Sequence, residues 1–216
     1  MAKATTAAAA RRKSVVRQLR RDQIEAAALK SVLKHGFPES SLRVVAREAD
    51  VPLSILHYYF RDKDELMRAV VQRMFENTMA RLNEVGAREH DQLKRVEALL
   101  EAYLMRTTDY WQSTLAFIEY WAACVRKRTV DRFYTQLHFR LRALLADALR
   151  EAGAEDADEL ALALLGMMVG YATFYQSKPG DPAERERFLE FARRTVRRAV
   201  ARGRKRVRLI ANRGAK

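Results

Sequence analysis

Between Ser40 and Leu66 the chain reads SSLRVVAREADVPLSILHYYFRDKDEL, and helical spacing starts, stops and starts again within it. Leu42, Val45, Ala46 and Ala49 recur at helical intervals, which predicts a helix over Ser40–Ala49 with Ser40 or Ser41 as N-cap. Asp50-Val51-Pro52 ends it. Proline is tolerated in the first turn of a helix but not inside one, so a second helix begins at about Pro52 and runs to Tyr59. Asp62, with Glu65 three residues on, is the capped start of a third and longer helix. Two helices of about two turns joined at a sharp angle have the geometry of a helix-turn-helix, whose second helix enters the DNA major groove.

Before this stretch, Val16, Leu19, Ile24, Ala27, Ala28, Leu29, Val32 and Leu33 describe a long amphipathic helix from about Val15 to His35. Lys34 and His35 suit its last turn, Gly36 its C′ position, and Pro38 prevents continuation. Phe37 is expected to fold back into a three-helix core with Leu42, Val45, Ile55, Leu56 and Phe60.

At these residues the sequence resembles the tetracycline-repressor (TetR) family of one-component bacterial regulators. The family pattern is roughly G-V-S-x-x-x-L-Y-x-[HY]-F-x-[SD]-K-x-x-L, against Asp50 to Leu66 here, and the resemblance covers Arg17 to Met74. Asp50 stands at the usual turn glycine, Pro52 at the usual serine cap and His57 at the common tyrosine. The resemblance implies an all-α chain of about nine helices. A three-helix DNA-binding domain would be followed by a helical ligand-binding and dimerisation bundle, with the helix opened by Asp62 transmitting ligand state. It also places at Arg43 an arginine that reaches a base edge or phosphate. Arg47, one turn on, is its rival, and a solvated role is the alternative for either. Leu53, Ser54 and Ile55 begin the recognition helix, where side chains point at base edges. His57, Tyr58 and Tyr59 are candidates for backbone contact, with Tyr58 the one expected to pack inward. Lys63, at a helix N-terminus, adds charge to free N–H groups and suits a phosphate.

The net charge of +14 is unevenly placed. Met1–Arg21 holds seven bases and Arg193–Lys216 eleven, with no acid in either; the remainder has 23 bases against all 27 acids. Like-charge runs at chain ends are usually disordered and often bind nucleic acid, or merely confer solubility. DNA contact is expected of the N-terminal run Met1–Arg21, while for the C-terminal run DNA contact and mere solubility stay open. The domains expected are 1–14, a disordered basic arm, 15–62, the DNA-binding domain, 63–202, the bundle, and 203–216, a basic tail. One cysteine, Cys124, excludes an internal disulfide. The longest apolar run, Leu160–Tyr175, is short for a membrane span, and no apolar signal segment follows the basic start. A cytoplasmic protein without membrane association is expected.

The Asp62 helix should run five turns or more before Gly86. Beyond it, helices are expected at about Asp91–Tyr110, Gln112–Lys127, Val130–Glu151, Ala154–Gln176 and Pro182–Arg202. Trp111, Phe117, Tyr120 and Trp121, with Cys124, Met168, Tyr171 and Tyr175, form an aromatic and thioether cluster. Such clusters are more often core than pocket, but tryptophan and tyrosine carry polar atoms that a dry core must satisfy. Glu119, in the midst of this run, either faces a cavity or is exposed or salt-bridged. A carboxylate among aromatics would suit a cationic or aromatic effector. Trp111 to Trp121 also resembles the choline-sensing branch of the family. Leu160, Leu164, Met167 and Gly170 on one helix, with Phe188, Phe191 and Val196 on the next, offer more apolar surface than one bundle covers. They predict a homodimer through a four-helix interface and hence a palindromic double-stranded operator.

There is no HExxH, no glycine-rich phosphate loop and no base beside Cys124 in sequence, so no enzyme, cofactor or metal is expected. The function expected is a ligand-released transcriptional regulator, most often a repressor in this family. The alternative is a ligand-independent, architectural DNA-binding protein with a solid core.

Overall fold

The computed structural model describes residues 2–104, 118–127, 132–175 and 182–214. Among the described residues all regular structure is helical. In chain order the helices are α1 (Ala2–His35), α2 (Leu42–Glu48), α3 (Leu53–Tyr59), α4 (Lys63–Arg88) and α5 (Gln92–Leu104). They continue with α6 (118–126), α7 (Arg132–Glu151), α8 (Ala157–Tyr175) and α9 (Pro182–Gly214).

The chain divides into two compact units. The first holds α1–α3, α4 as far as Phe75 and α6 as far as Ala122; the second holds the rest of α4 and α6 with α5, α7, α8 and α9. Two helices, α4 and α6, are thus each shared between the units.

In the first unit Ile24, Ala28, Val32, Val45, Ala46, Leu56, Phe60, Leu66 and Met67 are buried. Its connections are closed by local chemistry. Gly36 takes φ +84 at the end of α1, where an L side chain would be strained. The Ser40 hydroxyl donates to the Gly36 carbonyl at 2.8 Å and lies 3.0 Å from that of Ser31, so the two buried serines satisfy one another. Ser41 caps α2 through the Val44 N–H. Asp50 adopts φ +51 in the turn between α2 and α3, the left-handed region that aspartate tolerates better than most residues. Asp62 caps α4, its carboxylate accepting the Glu65 N–H at 2.8 Å, while Glu65 accepts the Arg61 N–H at 2.9 Å. The backbone and side-chain hydrogen bonds from Glu65 and Arg61 hold the Asp62 carboxyl below its ordinary pKa.

The second unit packs Leu99, Leu100, Leu145, Leu149, Leu164, Met168, Leu189 and Val196 into its core. Arg197 on α9 makes a bidentate bridge to Glu97 on α5 at 2.7 and 3.2 Å. Arg140 on α7 does the same to Glu76 on α4 at 2.6 and 3.2 Å.

Both ends of the chain are more helical than expected. Residues 2–14, expected as a disordered arm, are the first turns of α1, because alanine at positions 2, 4 and 7–10 has the highest helix propensity. Residues 203–214, expected as a tail, continue α9. Gly203 does not stop that helix; a Cβ there would lie 2.1 Å from the Gly153 carbonyl oxygen. The glycine lets α9 cross the α7–α8 turn at backbone contact. Similarly, α4 passes through Gly86 to Arg88.

Candidate nucleic-acid interface and effector site

In α2 and α3, the residues that close the core and those that leave it alternate at helical spacing. Leu56 and Phe60 are fully buried, which turns Ser54, Ile55, His57 and Tyr58 outward, with Leu53 and Tyr59 half-buried at the rim. Ile55, expected in the core as well as at the bases, is 40% exposed and belongs to the outer face. Tyr58, expected to pack inward, is 65% exposed. It lies two positions from both Leu56 and Phe60, about 200° around the helix from either, and its ring meets that of Tyr59 edge-on at 5.1 Å. Arg43 and Arg47 are both exposed on α2.

Lys63 is more engaged than a solvated lysine. Its ammonium donates to the Pro38 carbonyl at 2.8 Å and lies 5.0 Å from the Phe37 ring centre. The anchor fixes the ammonium beside the N-terminus of α4, the position expected for a phosphate contact. Two arginines of the basic run Met1–Arg21, for which DNA contact is expected, reach aromatic rings of this unit. Arg17 lies over the Tyr58 ring at 5.6 Å, and Arg21 over Phe60 at 4.9 Å. Nothing in the spacing of α1 alone shows which aromatic each arginine reaches.

The residues expected to hold an effector are placed less uniformly. Trp111 and Phe117 lie outside the described residues, as does the side chain of Tyr175. Glu119, on α6, accepts the Phe37 backbone N–H at 2.7 Å; it caps the loop that leaves α1. Tyr120, buried beside it, meets the Phe37 ring edge-on at 5.9 Å. Trp121 is 43% exposed, while Cys124 is buried. Tyr171 stacks on Phe188 at 4.4 Å. Met168 lines an apolar cavity of about 20 Å³ with Leu82, Leu99, Leu100, Leu141 and Leu165, room for about one water molecule. Among the described residues no cluster of three or more His, Cys, Asp or Glu could hold a metal ion. No described helix is long and apolar enough to cross a membrane.

The expected dimer residues split between two faces. Leu164 and Val196 are fully buried inside the protomer and cannot form an outer surface. Leu160, Met167, Gly170 and Phe188 are half-buried, and Phe191 is 50% exposed. Leu162, overlooked in the sequence, is 57% exposed. The space where Cβ atoms would lie at Gly166 and Gly170 is open. Because α8 is apolar on nearly every side, its periodicity could not distinguish the inward stripe from the outward one.

Comparison with known proteins fits this architecture. Residues 24–70 match the family described as bacterial regulatory proteins of the tetR family. A crystallised transcriptional regulator from Rhodococcus sp. Rha1 has the same fold, with a TM-score of 0.73 over 82% of this chain and 95% of that one, at 21% identity. A transcriptional regulator from Pseudomonas aeruginosa PAO1 superposes with a TM-score of 0.71, covering 88% of this chain and 94% of the other, also at 21% identity. The chain belongs to the TetR family of bacterial regulatory proteins. Its C-terminal part, residues 92–201, matches the BetI-type transcriptional repressor C-terminal domain. The HTH-type transcriptional regulator BetI of Burkholderia ambifaria is 28% identical over 66% of this chain and 76% of its own length. An HTH-type transcriptional regulator of Xanthobacter autotrophicus is 30% identical over 58% of this chain, and the match spans 63% of that relative.

Proposed function

We propose that the chain is a cytoplasmic, operator-binding repressor in which α3 reads bases, α2 and the start of α4 hold the phosphates, and an effector bound in the helical bundle that follows lowers operator affinity. One observation carries the reading: Ser54, Ile55, His57 and Tyr58 all point out of a closed core on a single short helix. Ser54 and Ile55 are suited to base edges, with Ile55 limited to a thymine methyl; His57, Tyr58, Tyr59 and Lys63 are suited to the backbone, and Arg43 to guanine or phosphate. Leu53, at the rim, is a lesser apolar contact. Two copies paired through the outward face of α8 and α9, at Leu162, Gly166 and Phe191, would present two recognition helices to a palindromic site.

The effector is best read as cationic or aromatic, with Glu119, Tyr120 and Trp121 of α6 as its candidate contacts. A cation that took over Glu119 would have to break the hydrogen bond to the Phe37 amide. Lys63 anchors the same loop, so such a change bears directly on a phosphate contact. The test is selection of duplexes from a random pool by the full-length chain, followed by footprinting with and without choline and related quaternary ammonium compounds. A palindromic site whose protection fades as the ammonium is added supports the reading. A site that resists every member of the series overturns the cationic effector, and failure to select any sequence overturns operator reading itself.

A further inference from the structure

The N-terminal half of α1 carries more positive charge than the fold uses. Residues 11–20 are all exposed, and Met1–Arg21 contains no acid. At 3.6 residues per turn, Ile24, Ala28, Ser31 and Val32 lie within about 60° of one line along the helix, and all four are buried. Followed toward the N-terminus, that line meets no further apolar side chain; it meets Arg21, Arg20, Arg17 and Lys13. Arg21 pairs with Glu25 at 2.9 Å and covers Phe60. Arg20 donates to the neutral Gln23 side chain at 3.0 Å. Arg17 covers Tyr58, on the candidate recognition helix. Lys13 lies about 6 Å further along α1, past that ring. Among the described residues neither Lys13 nor Arg17 has an acidic partner.

The core-facing side of α1 therefore turns basic at the point where it passes the outward face of α3. Like charges three and four residues apart cost a helix a few tenths of a kcal/mol each, and solubility does not require them to be aligned. A guanidinium held over an aromatic ring keeps N–H donors for a phosphate. We propose that Lys13, Arg17 and Arg20 form a second DNA-backbone contact, a rigid basic helix face that grips phosphates flanking the groove entered by α3. The proposal rests on reading α3 as the recognition helix. It names an occupant, the duplex backbone, from charge complementarity and from continuity with the Tyr58 surface.

Two double variants of the full chain test it. Lys13→Ala with Arg17→Ala removes two charges from the face, whereas Arg11→Ala with Arg12→Ala removes two from the far sides of the same helix. Binding to a random-sequence 30-base-pair duplex is measured from about 0.05 to 1 M salt. Each lost phosphate contact lowers the slope of log K against log salt by about 0.9. The first variant is expected to lose about 1.8 of slope and roughly 30-fold in affinity at 0.15 M, converging with the unaltered chain near 1 M. The second should lose markedly less, and Arg17→Lys, which keeps the charge, should retain most of the slope. An unchanged slope in the first variant, or equal losses in both, overturns the basic face. Measured alongside on the selected operator, Lys63→Ala and the α3 variant Ser54→Ala/His57→Ala separate the two readings. If they weaken binding while Lys13→Ala/Arg17→Ala does not, only this proposal falls; if operator binding ignores them as well, α3 is not the reader.

Discussion

Lys63 does two things at once, and its substitution should show both. Lys63→Ala is predicted to weaken binding to every duplex and flatten the salt slope by about 0.9, which a titration at several salt concentrations measures. Because the ammonium also holds the Pro38 carbonyl, a small loss of thermal stability should accompany it. Arg43→Ala is predicted to cost about 1–3 kcal/mol of discrimination between operator and random duplex, with little change on random DNA. Equal losses on both would assign Arg43 to phosphate. Asp62 supplies a pH dependence. Its carboxyl titrates below the ordinary value in the folded chain, so its stabilisation is full above about pH 4 and is lost as pH falls through the depressed value. Asp62→Ala should therefore lower stability by about 1 kcal/mol at neutral pH, with the gap to the unaltered chain narrowing in acid melts. Glu119→Ala removes the acceptor of the Phe37 amide and should cost about 1–2 kcal/mol. Glu119→Gln, which keeps an acceptor, should recover most of it.

Single elements differ in how far they can be read from local sequence. The α2–α3–α4 path was legible because everything that sets it lies within a few residues: Ser41, Asp50, Pro52 and Asp62 each start or stop a helix by their own chemistry. Ends and faces were harder. An alanine-rich, basic start reads as disorder by charge and as helix by propensity, and here propensity wins. Gly203 reads as a helix end until the Gly153 carbonyl, fifty residues earlier, is brought against it. Gly203→Ala is predicted to destabilise the second unit by about 2 kcal/mol or more, since backbone must move to admit the methyl group. For a chain of this size that is a fall of about 4–8 °C in Tm; an unchanged Tm would mean that α9 does not cross there. Glu119 shows the other limit. Its partner is 82 positions away, and neither charge nor periodicity around Trp121 points to a backbone amide on the α1–α2 loop.

For the whole molecule, α4 and α6 matter most, since each belongs partly to both units. A helix shared in this way can carry a change in one unit to the other without any further connection, which is what release by an effector requires. The proposed pairing of two copies adds the geometry that one short helix lacks. Leu162→Asp combined with Phe191→Asp should leave the helix content intact, shift light-scattering mass to one protomer and abolish high-affinity operator binding.

If two copies of α3 read one duplex together, hydroxyl-radical footprinting of the full-length chain on its selected operator will show it. Two symmetric protected half-sites are expected, centred about one helical turn or a whole multiple of it apart, with both lost together when Ser54 and His57 are replaced by alanine. A single unrepeated footprint, or one that survives those substitutions, contradicts it.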